Sequence, residues 1–418
     1  TRFDCDWSSD VCSSDLQKIK NSPTIILIPV FILLLLGLLS LLSIATLQNQ
    51  APPNAFSKQL FFLIPSFIML FVMSVLSKRL IHKYIYVFYV LVVFAVLLPF
   101  LGDKVSGTYR WINFGLPFDI QPSEIAKWII VLVLARYLSD HNLQMTHFSS
   151  NLFPLLIALI PTIIVLKQPD LGTAFVMMSS VLPMLYWIGA RPFHLFMIVA
   201  PILSILSAFN VSVFYFWAFF LAIIIYLSKP KLIYGLGVYF GNIFLGLIFP
   251  LVWNSLRPYQ QNRVLTYINP EIDPLGAGYH IIQSKTALGS GGLFGKGWGQ
   301  GTQTHLKFLP VQESDFIVSA IGEELGFIFL LLMILLFFFF IYKILRLAIN
   351  ASDRFSGLIL IGLASIFMAH VFINSAMASG LMPVKGLPLP FISYGGSFLV
   401  SSFMMVGMIL NFGRDDGD

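Results

Sequence analysis

Charged residues are scarce in this sequence. Lys, Arg, Asp and Glu make up 11% of its 418 residues, whereas a soluble domain carries about 25%. Hydrophobic residues make up 57%, and the mean hydropathy is +0.86. This composition excludes an ordinary soluble domain and indicates a polytopic membrane protein. The net charge of +6 comes from Lys and Arg placed singly at predicted helix ends, so it indicates membrane topology and no nucleic-acid partner.

Cysteine is nearly absent as well. The two cysteines, Cys5 and Cys12, both lie in the polar, acidic stretch TRFDCDWSSDVCSSDL. We interpret residues 1–16 as a non-native cloning or sequencing scar and expect residues 17–418 to form one transmembrane domain. Because that domain has no cysteine, it has neither a disulfide nor a cysteine metal site.

Long apolar runs predict an all-α fold of about 10–12 transmembrane helices. The segment 193–228 is too long for one span and tight for two. A helical hairpin that turns near Asn210 keeps the later basic loops on the same side as Lys78 and Arg79, whereas a single span reverses them. We therefore predict an extra hairpin at 193–228 and both chain ends in the cytoplasm.

Most acidic residues then fall on the outer side of the membrane. Two of them, Glu271 and Asp273, lie in a predicted large extracytoplasmic loop, residues 257–314. Pro274 restricts Asp273 to extended or turn geometry, which presents its carboxylate either for catalysis or as a solvated Asx turn. The glycine-rich run 289–301 is not a phosphate-binding P-loop, because Gly297 follows Lys296. It favours a compact loop over an anion-binding nest.

Other candidates have both structural and functional explanations. Arg110 and Trp111 suit an anionic or sugar ligand, or an interfacial belt. Glu124 and Lys127 lie one helical turn apart, as in a local ion pair. Asp170 has the pattern of a helix N-cap.

The last third of the chain adds further candidates. Asp315, Glu323 and Glu324 flank two helical turns, which favours a functional role or a buried network. Lys385 lies in LMPVKGLPLPFISYGG, a segment broken by Pro and Gly that is expected to line a cavity. A lysine there suits a phosphate group.

Six ordered motifs resemble one known family. They are RWINFG, QPSEIAKW, KQPDLGTA, NPEIDPLGAGYHIIQSKTALGSGG, FLPVQESDFIVSAIGEELG and GLPLPFISYGGS. The motifs are similar to those of the shape, elongation, division and sporulation family. The loop sequence is closer to the RodA branch of that family than to its FtsW branch. The resemblance covers nearly all of residues 17–418. It implies a peptidoglycan glycosyltransferase that polymerises lipid II on the outer face of the bacterial cytoplasmic membrane, with a class B penicillin-binding protein as partner.

The resemblance also implies residue roles. Asp273 matches the essential loop aspartate of the family and is expected to act as general base, and Trp111 matches its loop tryptophan. A divalent cation, Mg²⁺ or Mn²⁺, is expected on the pyrophosphate, with Asp273 or Glu324 as possible ligands, and no organic cofactor. A lipid II flippase and a non-enzymatic scaffold remain alternatives. The expected substrate-binding residues are Arg110, Trp111, Glu124, Lys127, Asp170, Lys285, Asp315, Glu324 and Lys385.

Overall fold

A computed structural model describes residues 23–47, 54–102, 108–112, 119–140, 149–255, 261, 265–266, 271, 273–274, 278–305, 308 and 311–414. The predicted all-α polytopic membrane fold is confirmed within these residues. The helices are α1 (Leu27–Leu47), α2 (Ala55–Val75), α3 (Lys78–Leu97), α4 (Pro122–Asp140), α5 (Ser149–Lys167), α6 (Leu171–Ser179), α7 (Val181–Trp187), α8 (Pro192–Ser207), α9 (Val211–Ser228), α10 (Leu232–Ser255), α11 (Tyr279–Gly291), α12 (Thr302–His305), α13 (Ile317–Ile349), α14 (Arg354–Ala378) and α15 (Gly396–Phe412).

Eight helical segments in the described part of the chain are long and apolar enough to cross a membrane. They are Pro23–Thr46, Ala55–Val75, Lys78–Leu101, Ser150–Lys167, Val211–Ser228, Leu232–Ser255, Ile317–Ile349 and Arg354–Ala378. Three shorter apolar helical segments, Leu171–Trp187, Pro192–Ser207 and Gly396–Phe412, add to these. Helix α4 is largely apolar and carries four charged residues, Glu124, Lys127, Arg136 and Asp140.

The chain divides into two compact units. The first comprises residues 1–143, 153–184 and 280–418, and the second comprises 144–152 and 185–279. In the first unit α14 packs against α4, α6, α13 and α15, and α2 packs against α15. Helices α4 and α14 are buried along most of their length, so any charged side chain on their inner faces must find its partner inside the protein.

The second unit contains a three-helix arrangement in which α8, α9 and α10 contact one another. The segment 193–228 forms two helices, α8 and α9, and Asn210 caps α9 by accepting hydrogen bonds from the amides of Ser212 and Val213. That this hairpin is an addition to the family fold stays a prediction.

Candidate functional site

A charged cluster in the first unit is centred on Arg110. A short antiparallel bridge between Ile112 and Ile120 brings the residues before Ile112 beside the start of α4. The Arg110 guanidinium donates a 2.6 Å hydrogen bond from Nη2 to the Pro169 carbonyl, and its Nε lies 3.7 Å from Asp170 Oδ2. With 22% of its side chain exposed, Arg110 retains surface for a ligand.

Asp170 is the buried partner of this arginine and the N-cap of α6. Its Oδ1 accepts the Thr173 amide at 3.2 Å, and its Oδ2 accepts the Thr173 hydroxyl at 2.9 Å and Gln121 Nε2 at 3.2 Å. The N-cap geometry expected from the sequence is thus present. Asp170 is only 1% exposed and contacts both Arg110 and Gln121, so it helps to hold them in place. Its predicted part in substrate binding stays a prediction.

Asp315 approaches the same arginine from the opposite end of the chain. A Cβ added at Gly386 would lie 3.6 Å from both Arg110 Nη1 and Asp315 Oδ2, so the three residues meet. Burial raises the pKa of Asp315 to about 6, against the opposing effects of the Ser314 hydroxyl and the Arg110 charge. This carboxyl group therefore changes protonation state within about one pH unit of neutrality, which is typical of functional sites.

The segment that carries Lys385 and Gly386 is non-helical from Ser379 to Gly395, as its prolines and glycines predict. Asn374 on α14 holds it by donating to the carbonyls of Leu387 at 2.6 Å and Asp315 at 3.2 Å. The backbone of Lys385 and Gly386 is thereby fixed beside the charged cluster around Arg110. The Lys385 side chain is partly exposed.

A buried triad lies on α4 and α14. Lys127 Nζ is 2.7 Å from Glu124 Oε2 and 2.9 Å from His370 Nε2, and it lies 5.0 Å from the centre of the Phe398 ring. His370 Nδ1 lies 3.2 Å from the Pro388 carbonyl, which can only accept, so Nδ1 carries the proton and Nε2 accepts from Lys127. The local ion pair expected from the sequence is present, whereas sequence reasoning missed His370.

Both charged members of the triad on α4 are buried, with Lys127 0% and Glu124 3% exposed. Lys127 Nζ contacts Glu124 and His370, and Glu124 also lines a cavity. That Glu124 and Lys127 bind substrate stays a prediction.

That cavity has a volume of about 510 Å³ and is mostly apolar. It lies between α2, the first turn of α4 and α15, with Phe62, Pro65 and Met404 among its lining residues. Its polar end contains Gln121 and Glu124. Because Gln121 also donates to Asp170, one residue joins the apolar cavity to the charged cluster.

Glu323 and Glu324 form a buried network, one of the two roles expected for them. Glu323 accepts hydrogen bonds from Lys296 Nζ at 2.8 Å, from the Thr304 hydroxyl at 2.7 Å and from the Gln303 amide at 3.0 Å. Glu324 accepts from the Ser43 hydroxyl of α1 at 2.9 and 2.8 Å. Helical neighbours point in different directions, so one carboxylate anchors the glycine-rich run and the other anchors α1.

The glycine-rich run adopts the compact form that its sequence favours. Gly292, Gly295, Gly297 and Gly299 all have positive φ. The run also supplies hydrogen bonds where α13 is broken at Gly326, because the Phe327 amide donates to the Gly292 carbonyl at 2.9 Å. We conclude that this run has a structural role and holds α13 in place at its break.

Three predicted site residues remain outside these contacts. Lys285 on α11 is exposed and lies against Gly380, and Trp111 is partly exposed beside Arg110. Asp273 belongs to the second unit and is exposed, and its carbonyl accepts the Gly278 amide at 3.0 Å. The geometry predicted for Asp273 stays a prediction, because residues 272 and 275–277 lie outside the described part of the chain.

The described residues contain no group of three or more His, Cys, Asp or Glu side chains that could hold a metal ion. Glu324, one of the expected ligands, is 4% exposed and bonded to Ser43, which does not fit an open metal site. A site formed from protein side chains alone is therefore not supported there. A cation held mainly by pyrophosphate oxygens stays a prediction.

The sequence of this chain is similar to those of several known proteins. The family model described as cell cycle protein, for FtsW, RodA and SpoVE, matches residues 23–218 and 193–416. The peptidoglycan glycosyltransferase MrdB of Escherichia coli K12 is 34% identical over 327 residues, which cover 78% of this chain and 76% of that protein. Stage V sporulation protein E of Bacillus subtilis is 34% identical over 404 residues, covering 94% and 98%.

Solved structures share the fold. A chain of a peptidoglycan synthase complex that coordinates polymerization and crosslinking superposes with a TM-score of 0.71 at 25% identity, covering 94% of this chain and 98% of that one. The rod shape determining protein RodA of Thermus thermophilus gives a TM-score of 0.62 at 23% identity, covering 94% and 97%.

Proposed function

The chain belongs to the shape, elongation, division and sporulation family, and we propose that it is a peptidoglycan glycosyltransferase. Its substrate would be lipid II, polymerised into β-1,4 glycan strands on the outer face of the bacterial cytoplasmic membrane. The observation that carries the proposal is the pairing of an apolar cavity with a charged cluster through Gln121. A lipid-linked sugar pyrophosphate has the same two parts, an apolar chain and an anionic head.

The reaction forms a glycosidic bond and breaks the bond between the donor's anomeric carbon and an oxygen of the pyrophosphate. The 4-hydroxyl of the acceptor GlcNAc attacks the anomeric carbon of the donor strand, whose bond to polyprenyl pyrophosphate breaks with inversion. A sugar hydroxyl is a weak nucleophile, so a base must take its proton as the new bond forms. We assign this role to Asp273 because it matches the essential loop aspartate of the family motif.

The leaving pyrophosphate needs its negative charge stabilised, which cationic side chains do best from fixed positions. Arg110 meets this requirement because Pro169 and Asp170 hold it while part of its guanidinium stays exposed. Lys385 lies beside Gly386 on the segment that Asn374 holds, and its side chain is partly exposed. We propose that Arg110 and Lys385 bind the pyrophosphate, and that ionised Asp315 accepts hydrogen bonds from the substrate.

The partner that we propose is a class B penicillin-binding protein, a transpeptidase that would crosslink the new strands. The relative with the TM-score of 0.71 comes from a synthase complex that combines polymerization and crosslinking. Large apolar side chains such as Phe216, Phe219 and Tyr226 on α9 are exposed, as expected of a helix that contacts lipid or another membrane helix.

The test is a reconstitution with separate readouts for the competing functions. The full chain is placed in liposomes with and without the partner, lipid II is added to the outside, and glycan polymer is resolved on a gel. Polymer formed by the chain with its partner supports the glycosyltransferase. Movement of labelled lipid II between leaflets without polymer would favour the flippase, and partner binding without polymer or movement would favour the scaffold.

A further inference from the structure

His370 is a buried side chain that has no part in the mechanism proposed above. It lies on α14, one helical turn before Asn374, and is 0% exposed. The centre of its ring lies 4.8 Å from that of Phe398, in the first turn of α15. A polar ring removed from water loses free energy unless protein groups replace its hydrogen bonds. Both ring nitrogens of His370 have such a partner, and the two partners belong to different parts of the first unit.

The first bond holds the non-helical segment that follows α14. His370 Nδ1 donates to the Pro388 carbonyl at 3.2 Å, and Asn374 donates to the preceding carbonyl at 2.6 Å. Residues one turn apart lie on the same face of a helix, so this face of α14 holds two consecutive carbonyls. Gly386, which meets the Arg110 cluster, lies two residues before Pro388. His370 therefore helps to fix the segment at the charged cluster.

The second bond holds α4. Lys127 Nζ donates to His370 Nε2 at 2.9 Å and lies 2.7 Å from Glu124 Oε2. Glu124 lines the polar end of the apolar cavity together with Gln121. The contacts of His370 thus extend through Lys127 and Glu124 to the wall of that cavity.

We propose that His370 is a positioning residue for polymerisation, an inference that rests on the proposed function. The apolar cavity would hold the polyprenyl chain, and the cations beside Gly386 would hold the pyrophosphate. Because His370 bonds to the walls of both sites, it fixes the distance between them. Chain and pyrophosphate are covalently joined, so a change in that distance moves the anomeric carbon away from the base. A displacement of about 1 Å can cost a factor of about 10² in rate.

Three variants and one control separate positioning from general stability. His370→Leu removes both bonds, whereas His370→Gln keeps an acceptor for Lys127 and a donor for the Pro388 carbonyl. His370→Asn carries the same groups on a side chain too short to reach both partners, and it replaces His370→Leu if that variant does not fold. Phe337→Leu is the matched control, because Phe337 is a buried ring on α13 without a hydrogen-bonding group.

Polymerisation by the full chain with its partner is measured as an initial rate over a range of lipid II concentrations. We expect kcat to fall about tenfold or more in His370→Leu and His370→Asn while KM stays within about twofold of wild type, because the alignment of the reacting groups is lost and the binding groups remain. His370→Gln should recover most of the rate, and Phe337→Leu should lower the melting temperature alone. The inference is wrong if folded His370→Leu or His370→Asn keeps the wild-type kcat, if His370→Gln is as slow as they are, or if Phe337→Leu lowers kcat as much.

Hydrogen exchange tests the contact with the segment independently of activity. The amides of residues 381–395 should exchange faster in His370→Leu than in wild type and His370→Gln, because one anchor to α14 is lost. Absence of polymer from wild type would contradict the proposed function and leave the exchange result to decide whether His370 holds the segment. Unchanged exchange in His370→Leu would overturn the positioning role even where wild type polymerises lipid II.

Discussion

The buried pair of Lys127 and Glu124 gives a prediction about stability whose size follows from the structure. At 2.7 Å, two unit charges attract by about 6 kcal/mol for an effective dielectric constant of about 20. Part of this is offset by the cost of removing both charges from water. Replacing Lys127 with methionine leaves the Glu124 carboxylate buried without its counter-charge, and such changes cost about 3–5 kcal/mol. We therefore expect Lys127→Met to lower the unfolding free energy by that amount.

The assay is reversible unfolding of the detergent-solubilised chain, followed by tryptophan fluorescence. Lys83→Met serves as the control, because it removes the same charge from an exposed position at the start of α3. The double variant Glu124→Gln/Lys127→Met should recover most of the loss, since no unpaired charge remains. The stabilising role of the buried pair would be refuted by a loss of unfolding free energy below about 1 kcal/mol in Lys127→Met, or by no recovery of that free energy in the double variant.

Three further predictions concern other contacts in the first unit. Gly172→Ala should destabilise the chain by about 1–3 kcal/mol, because the new Cβ would lie 2.7 Å from Leu387 Cγ; an unchanged melting temperature would refute the contact. Polymerisation should fall as the pH drops through about 6, where the raised pKa leaves Asp315 protonated and uncharged, and Asp315→Asn should remove this dependence; a variant with the wild-type pH profile would contradict it. Glu323→Gln should weaken the bond to Lys296 and increase hydrogen exchange in residues 292–304, whereas unchanged protection would show that Glu323 does not anchor the loop.

Local spacing determined which parts of the site could be predicted from the sequence. Glu124 and Lys127 pair because residues one turn apart share a helix face. Asp170 caps α6 because a short acidic side chain before a helix reaches its free amides. The positive φ angles of the glycine-rich run follow from glycine having no Cβ.

Contacts between distant segments could not be predicted in this way. His370 is 243 residues from Lys127, and a single histidine in an apolar helix gives no sign of its partner. Gly386 meets Arg110 and Asp315 only because Asn374 fixes the broken segment. The sequence did not show that the adjacent residues Glu323 and Glu324 anchor different elements.

Three proteins compared side by side decide whether this chain makes glycan strands with Asp273 as its base. Wild type, Asp273→Ala and Glu271→Ala are incubated with lipid II and the partner at equal protein levels. Glu271 is the matched control because it is also an exposed carboxylate, two residues away. Removing a general base costs a factor of about 10² to 10⁴, so we predict polymer from wild type and Glu271→Ala but none detectable from Asp273→Ala. Wild-type polymer yield from a folded Asp273→Ala protein would show that Asp273 is not the base.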